Sequence, residues 1–283
     1  MTTTLRPLTA EQPTPEGGLG RLFAVCVNGR PVGRITATAH ADTGGPRLGE
    51  LTALAIDPPD RGRGRGTVAA LAAEEVLRGW GCARARVEVQ AGPDAPAGLR
   101  LAETLGYVLR ARHMVKQLPD SLPELPPGTS GRPFTDEEFD DWCQAEARRF
   151  AEMEVSEGLT PEQARAKADE AMRRALPYGR RTPFTVVRQL RASGQGVGSI
   201  WLSTYTGTPP DAPRPPWVYS VQVEPEHRGH GHGRSLMLLA ERECLDVGVR
   251  RLGLNVYADN APANALYRSL DYRTTRHILF KQL

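Results

Sequence analysis

One glycine-rich phrase occurs twice in this chain of 283 residues, and that repetition restricts the fold more than any other feature. The first copy reads Ile56-Asp57-Pro58-Pro59-Asp60-Arg61-Gly62-Arg63-Gly64-Arg65-Gly66. The second reads Val223-Glu224-Pro225-Glu226-His227-Arg228-Gly229-His230-Gly231-His232-Gly233. Each follows a β-rich apolar run and precedes an Ala/Leu-rich helical run that ends at a glycine, Gly81 or Gly248. The offset from Arg61 to Arg228 equals the offset from Gly81 to Gly248. A shared offset across strand, loop and helix marks an internal repeat, so the sequence predicts two copies of one domain.

Length and composition suit that reading. The chain can hold two domains with separate cores, and 40% hydrophobic with 24% charged residues is a globular balance. No apolar run approaches membrane-spanning length, and the start Met1-Thr2-Thr3-Thr4-Leu5-Arg6-Pro7 lacks the apolar core of a signal peptide, so a cytoplasmic protein is expected. Cys26, Cys82, Cys143 and Cys244 are scattered without a CxxC pair, which reads as reduced buried thiols; a catalytic thiol is the alternative. The net charge is only +3, but Arg61, Arg63, Arg65, Arg228 and Arg234 gather in the glycine loops. Such clusters suit a compact polyphosphate rather than a nucleic-acid track, and neither nucleic acid nor membrane is an expected partner. The three lysines, Lys116, Lys167 and Lys281, against a large arginine excess read as the mark of a GC-rich genome.

Periodicity and turn signals divide the chain into a first domain over 1–118, a Pro-rich linker over 119–133 and a second domain over 134–283. In the first, a tail reaches about Gly20. Strands are expected at Arg21–Asn28, Pro31–Ala39 and Glu50–Asp57, the first two joined by Asn28-Gly29. A helix over Thr67–Gly79, a strand over Arg84–Gln90, a helix over Ala97–Leu105 and a strand over Tyr107–Lys116 complete it. The second domain opens with two helices that the first lacks. Thr135 with Glu138, and Thr160-Pro161-Glu162-Gln163, have the form of capping boxes. Strands follow at Phe184–Arg191, Gly196–Ser203 and Trp217–Glu224, the last two separated by a proline-rich loop over 207–216. After the glycine loop come a helix over Arg234–Val247, a strand over Arg251–Tyr257, a helix over Ala261–Leu270 and a strand to Leu283.

Arg-x-x-Gly-x-Gly between a strand and a helix has a direct physical use. Glycines let successive N–H groups face outward while the helix N-terminus adds positive potential, which together hold a pyrophosphate. A dinucleotide fold is disfavoured because no βαβ unit precedes the glycines.

The second half resembles the GNAT superfamily of acyltransferases. Val221-Gln222-Val223-Glu224-Pro225, the loop Arg228–Gly233 and the stretch Leu254–Tyr272, which contains Asp259-Asn260-Ala261-Pro262-Ala263-Asn264-Ala265-Leu266-Tyr267, carry the likeness. The family pattern has glycine before the closing aromatic, where this chain has Asp271. Residues 20–117 resemble the same fold. The resemblance implies an α/β (α+β type) protein of two GNAT folds in tandem, each a mixed, mainly antiparallel twisted sheet flanked by helices. It also implies acetyl-CoA as cofactor and transfer of acetyl to an amine, directly in a ternary complex.

By the same resemblance Tyr267 protonates the departing thiolate, and a backbone N–H at Val221 steadies the developing oxyanion. Val221, Val223, Arg228, Gly229, Gly231, Gly233, Arg234 and Asn260 hold CoA, Asn260 also being suited to cap the helix that follows. Tyr219 and Ser220 lie on the strand facing the acceptor, either as base or as contact. In the first half Ala102 falls at the place of Tyr267, so that half is expected to be structural or to bind CoA without turnover, through Arg61, Gly62, Gly64 and Gly66.

The helix from Thr135 carries an apolar stripe of Phe139, Trp142, Cys143, Phe150 and Met153, and Glu146 falls inside it. Glu146 and, because Phe150-Ala151-Glu152 resembles a phrase of one GNAT subgroup, Glu152 are candidate partners for a cationic amine, against the alternative of ordinary solvated charges. His227, His230 and His232 sit among glycines without fixed geometry, and no metal is expected. The acceptor expected is the primary amine of a small molecule or peptide-like natural product, in self-resistance or tailoring, with the chain a monomer or homodimer. A mycothiol synthase-like enzyme and a non-catalytic acyl-CoA sensor are the alternatives.

Overall fold

The computed structural model describes residues 2–15, 17–41, 45–156, 158–205 and 216–283; most of the loop expected at 207–216 lies outside them. The chain forms two compact units. The first comprises Met1–Ala111 with Arg276–Leu283, the second Arg112–Thr275.

In unit 1, β1 (Thr3–Pro7), β3 (Leu19–Val27), β4 (Arg30–Ala39) and β5 (Leu48–Ile56) are neighbours in antiparallel order, with β2 (Gln12–Pro13) on the flank of β3. β5 then runs parallel to β6 (Arg84–Gln90). Helix α1 (Arg65–Gly79) covers β4 and β5, and α2 (Ala95–Thr104) lies on β6. Val25, Val32, Ile35, Ala73 and Leu77 fill the core. β1, expected to be part of a tail, has only Leu5 packed on this core. Five antiparallel pairings with β3, from Thr3 opposite Val27 to Pro7 opposite Phe23, make it a strand.

Unit 1 is completed from far downstream. Of β13 (Arg273–Gln282), the segment Arg276–Gln282 pairs antiparallel with the whole of β6, and Leu279 is fully buried. Unit 2 likewise takes the chain from Arg112, including most of β7 (Val108–Gln117), whose continuation donates Leu118 N–H to the Arg250 carbonyl at 2.8 Å. The compact units thus exchange the stretches 112–118 and 276–283 relative to the sequence boundaries.

Unit 2 continues with β8 (Thr129–Arg132), α3 (Asp136–Ser156), α4 (Pro161–Ala175), β9 (Thr185–Ala192), β10 (Gln195–Ser203), β11 (Trp217–Val223), α5 (His232–Asp246), β12 (Arg251–Tyr257) and α6 (Ala261–Ser269). β8 through β11 are antiparallel neighbours in chain order, and β11 runs parallel to β12. β8 falls inside the segment expected to be linker. Its residues Thr-Ser-Gly-Arg carry no apolar signal because Leu239 of α5 packs on the bare backbone: a Cβ on Gly131 would lie 2.5 Å from Leu239 Cδ2. Both capping boxes form, Thr135 N–H to Glu138 Oε2 at 2.8 Å and Thr160 N–H to Gln163 Oε1 at 3.1 Å. Leu236, Met237, Ile200, Leu202, Leu252 and Leu254 make the main core, each burial contributing about 1.5–3 kcal/mol for a large side chain. A smaller aromatic cluster of Phe134, Phe139, Trp142, Val187 and Trp201 lies on the α3 face.

The lysines acquire a structural explanation. Lys116 Nζ donates to both oxygens of Glu241 at 2.7 and 2.8 Å, Lys281 Nζ to Glu74 at 2.7 Å and Lys167 Nζ to Glu154 at 2.8 Å. These glutamates are 1%, 0% and 8% exposed. All three lysines of the chain are committed to buried carboxylates, which composition alone read as a genomic bias.

Candidate functional site

The site of unit 2 grows from a parting of strands. β11 and β12 pair only at Trp217–Gly253 and Val218–Leu254. Beyond Val218 they separate. At the same point the β10 register jumps: Trp201 faces Ser220 while Leu202 faces Val218, which leaves Tyr219 as an extra, bulged residue. A bulge re-aims neighbouring side chains and ends regular pairing. Tyr219 is 55% exposed, its ring 4.9 Å from that of Trp201.

Helix α3 covers this face. Trp142 Nε1 donates to Ser199 Oγ at 3.2 Å and its ring meets Trp201 edge-on at 5.5 Å. One turn further, Glu146 reaches β11: Ser220 Oγ donates to Glu146 Oε1 at 2.9 Å, and Arg149 Nη2 donates to the same oxygen at 2.6 Å. Gln222 Nε2 approaches Ser220 Oγ at 3.4 Å. Glu146 is 8% exposed, so the polar residue inside the apolar stripe is buried and paired. Glu152 lies six residues on, about 240° around the helix, and is exposed; the neighbouring buried carboxylate is Glu154. Glu152 therefore stands apart from the Glu146–Ser220 pair.

The glycine loop follows β11. Gly229 (φ 80°) and Gly231 (φ 83°) are left-handed, and Gly231 is the N-cap of α5. Nothing lies within 4 Å of a Cβ built on either, so glycine is required by backbone conformation rather than by space. Arg228 Nε donates back to the Val223 carbonyl at 3.2 Å and fastens the loop to the strand end. Arg234 Nη2 donates to Ser269 Oγ of α6 at 2.7 Å, and a Cβ on Gly233 would meet Leu266 Cδ2 at 3.2 Å. His227 and His230 each lie 6.2 Å, ring to ring, from His232. Burial, then His230 and His227, hold His232 below the usual imidazole range. Among the described residues no group of three His, Cys, Asp or Glu side chains is arranged to hold a metal.

Across the gap, Asn260 Oδ1 accepts from Ala263 N–H at 3.1 Å and caps α6. Asn264, whose role has no signal in the sequence, donates to the carbonyls of Tyr257 and Asn260 at 2.8 Å each. Arg112 Nη1 donates to its Oδ1 at 3.2 Å. This buried amide fixes the turn that places α6, and with it Tyr267, one turn on. Tyr267 is 7% exposed, and burial pushes its hydroxyl up to about 12. It stays protonated at neutral pH. Burial likewise pushes the Cys143 thiol up to about 11 and Cys244 up to about 12, which removes both as thiolate nucleophiles.

Unit 1 repeats the frame of strands and glycine loop. β5 and β6 pair from Leu48–Arg84 to Leu51–Val87 and then part. Gly62 (φ 69°) and Gly64 (φ 72°) are left-handed, and Arg61 Nε donates to the Ile56 carbonyl at 2.8 Å, the counterpart of the Arg228 bond. Its loop is occupied by its own ions, however: Asp60, 4% exposed, pairs with Arg65 and accepts from Arg30 Nη2 at 2.9 and 3.1 Å. Ala53 stands where the repeat offset places Ser220, and Ala102 lies buried at the place of Tyr267.

The open strand pair, the left-handed glycines and the helix N-terminus in unit 2 fit an extended cofactor that carries a pyrophosphate. Among the described residues no helix is long and apolar enough to cross a membrane. Known proteins agree with this geometry. A family model described as "Acetyltransferase (GNAT) family" matches residues 5–107 and 132–272. A mycothiol acetyltransferase of Frankia alni is 32% identical over 273 residues, spanning 90% of this chain and 78% of the relative. Another, of Saccharomonospora viridis, is 30% identical over 273 residues, spanning 93% and 84%. Among solved structures, a GCN5-related N-acetyltransferase from Sphaerobacter thermophilus superposes with a TM-score of 0.56 at 22% identity, covering 92% of this chain and 80% of that one, a likeness of fold.

Proposed function

The chain belongs to the GNAT family of acetyltransferases, enzymes that use acetyl-CoA, and from that premise we propose that unit 2 acetylates the primary amine of a small molecule or peptide-like natural product. The observation that carries this reading is the Ser220–Glu146 hydrogen bond of 2.9 Å. It joins a hydroxyl on the parted β11 to a buried carboxylate of α3.

Acetyl-CoA supplies the activated acetyl thioester. The backbone of Val221 and Val223, the left-handed Gly229 and Gly231, and Gly233 with Arg234 at the helix start would hold it, with Asn260 at the other lip. Arg228 acts by fastening the loop. Ser220 Oγ accepts a proton from the acceptor ammonium as it passes its own to Glu146 Oε1, so the amine gains the lone pair that attack requires. The Val221 N–H donates to the carbonyl oxygen as charge develops there. Tyr267 holds its phenolic proton at Oη for the leaving sulfur. Tyr219, exposed against Trp201, lines the acceptor side. Unit 1, with alanine at both reacting positions, binds CoA through Arg61, Gly62, Gly64 and Gly66 at most without turnover.

A second acceptor reading is favoured by the relatives, which are named mycothiol acetyltransferases: the amine of the deacetylated thiol sugar. Free thiol released from acetyl-CoA, measured with an amine panel and with the deacetylated thiol sugar, separates the two. A preference of several orders of magnitude for the thiol sugar establishes the second reading, and a preference for other amines excludes it. No release with any acceptor refutes both.

A further inference from the structure

Unit 2 holds a concavity none of whose lining residues takes part in the proposed transfer. A cavity of about 350 Å³ is lined by Phe139 near the start of α3, by β9 and by the turn Gly179–Arg181. Its floor is apolar, formed by the buried Phe134, Phe139 and Val187. Its rim carries the guanidinium groups of Arg180, Arg181 and Arg188. The volume falls within the range of small-molecule sites, about 300–1,000 Å³.

The rim is built. Thr182 Oγ1 donates to the Gly179 carbonyl at 2.7 Å and accepts from Tyr178 N–H at 3.1 Å, and Arg181 N–H donates to the Tyr178 carbonyl at 3.1 Å. The turn that presents Arg180 and Arg181 is therefore locked from both ends. Arg188 is fixed by Glu243, which accepts from Nε at 2.7 Å and from Nη2 at 2.9 Å. Arg180 pairs with Asp136, but that carboxylate is 81% exposed, so water screens its hold. Arg181 has no ion-pair partner among the described residues. The rim carries one cation more than it has carboxylates to balance it.

We propose that this cavity binds a small carboxylate with a ring-sized apolar body. The carboxylate meets Arg181 with Arg180 beside it, and the body lies on Phe139, Phe134 and Val187. Arg181 is exposed, and its unpaired guanidinium at the edge of an apolar floor offers a charge-assisted hydrogen bond, roughly twice as strong as a neutral one. A cationic amine is repelled by the same rim, which separates this cavity from the acceptor site. A wholly polar anion such as phosphate gains nothing from the floor. The inference stands whether or not the acceptor named above is right.

Calorimetric titration of the full chain, saturated with acetyl-CoA, tests it with phenylacetate, neutral phenylacetamide and inorganic phosphate. Phenylacetate is expected to bind saturably, about tenfold more tightly than either comparison ligand. Arg181→Gln should weaken it about tenfold with melting temperature and rate of acetyl transfer unchanged, and Arg181→Lys should restore most of the loss. The proposal is overturned by the absence of saturable binding at millimolar phenylacetate. Equal affinity for phosphate or for phenylacetamide, or wild-type affinity in Arg181→Gln, overturns it as well.

Discussion

Replacing Glu146 by Gln isolates the base from everything else the residue does. Glutamine keeps an oxygen for the Ser220 hydroxyl, and Arg149, 40% exposed at its side chain, loses a partner that water replaces. The stability cost is therefore small, under about 1 kcal/mol. The cost in rate is set by the acceptor. A lysine-like amine titrates near about 10.4, so at pH 7 roughly one molecule in 2,500 is neutral, and at pH 9 roughly one in 25. A base that removes the proton on the enzyme is thus worth up to about 10³ at pH 7, inside the usual range of about 10²–10⁴ for such groups. The deficit of Glu146→Gln in kcat/KM should be near 10³ at neutral pH and shrink about tenfold for each pH unit gained, as solution supplies neutral amine instead. An α-amine, titrating near about 7.7–8.0, would show a deficit below about tenfold throughout. Steady-state release of free thiol, followed at several pH values with one acceptor, reads this directly. A deficit that stays constant with pH would refute the proton-transfer role and leave Glu146 as a positioning residue.

Four further outcomes are expected. Tyr267→Phe should lower kcat about 10²-fold or more with little change in KM for acetyl-CoA. Because burial raises the Tyr267 hydroxyl from 10 to about 12, its stabilising share is complete below pH 10 and lost as pH rises through 12; alkaline unfolding of Tyr267→Phe should show less loss in that window. Lys116→Met leaves Glu241 buried without its cation and should cost about 3–5 kcal/mol in urea unfolding, whereas adding Glu241→Leu should recover most of it; a loss under 1 kcal/mol would show that the pair is not buried as described. Asp271→Gly should raise the melting temperature by roughly 2 °C, since Asp271 holds φ 64° where its counterpart Gly106 holds 85° without a side chain to strain.

Much of this architecture is legible in the chain because period and punctuation agree. The runs ending at Gly81 and Gly248 become α1 and α5, and alternation gives β6 and β12 their full lengths. What the sequence hides is whatever another segment induces. β8 has no apolar residue, because its place depends on Leu239 lying against bare backbone. β1 exists through hydrogen bonds to β3 rather than through its own propensity. In the site, Glu146 is visible as a carboxylate in an apolar stripe and Ser220 as a residue of the acceptor strand. Their partnership is not, since it spans 74 residues and depends on how α3 lies across β11. Glu152 rests on the resemblance of a local phrase, and helical phase sets it about 240° from Glu146 on α3. The commitment of every lysine to a buried glutamate has no local signal, because each pair closes over a sequence distance that only folding decides.

The placement of Arg276–Gln282 beside β6 bears on how the chain is made. A ribosome delivers residues in order, so β6 and the buried Glu74 emerge long before the strand and the Lys281 ammonium that complete them. All of unit 2 is synthesised in between. During that interval unit 1 presents an open sheet edge, a feature that favours contact with chaperones or with other nascent chains. Vectorial synthesis therefore finishes the amino-terminal unit last, and loss of the carboxy-terminal strand should be felt most in the half of the protein furthest from it in sequence.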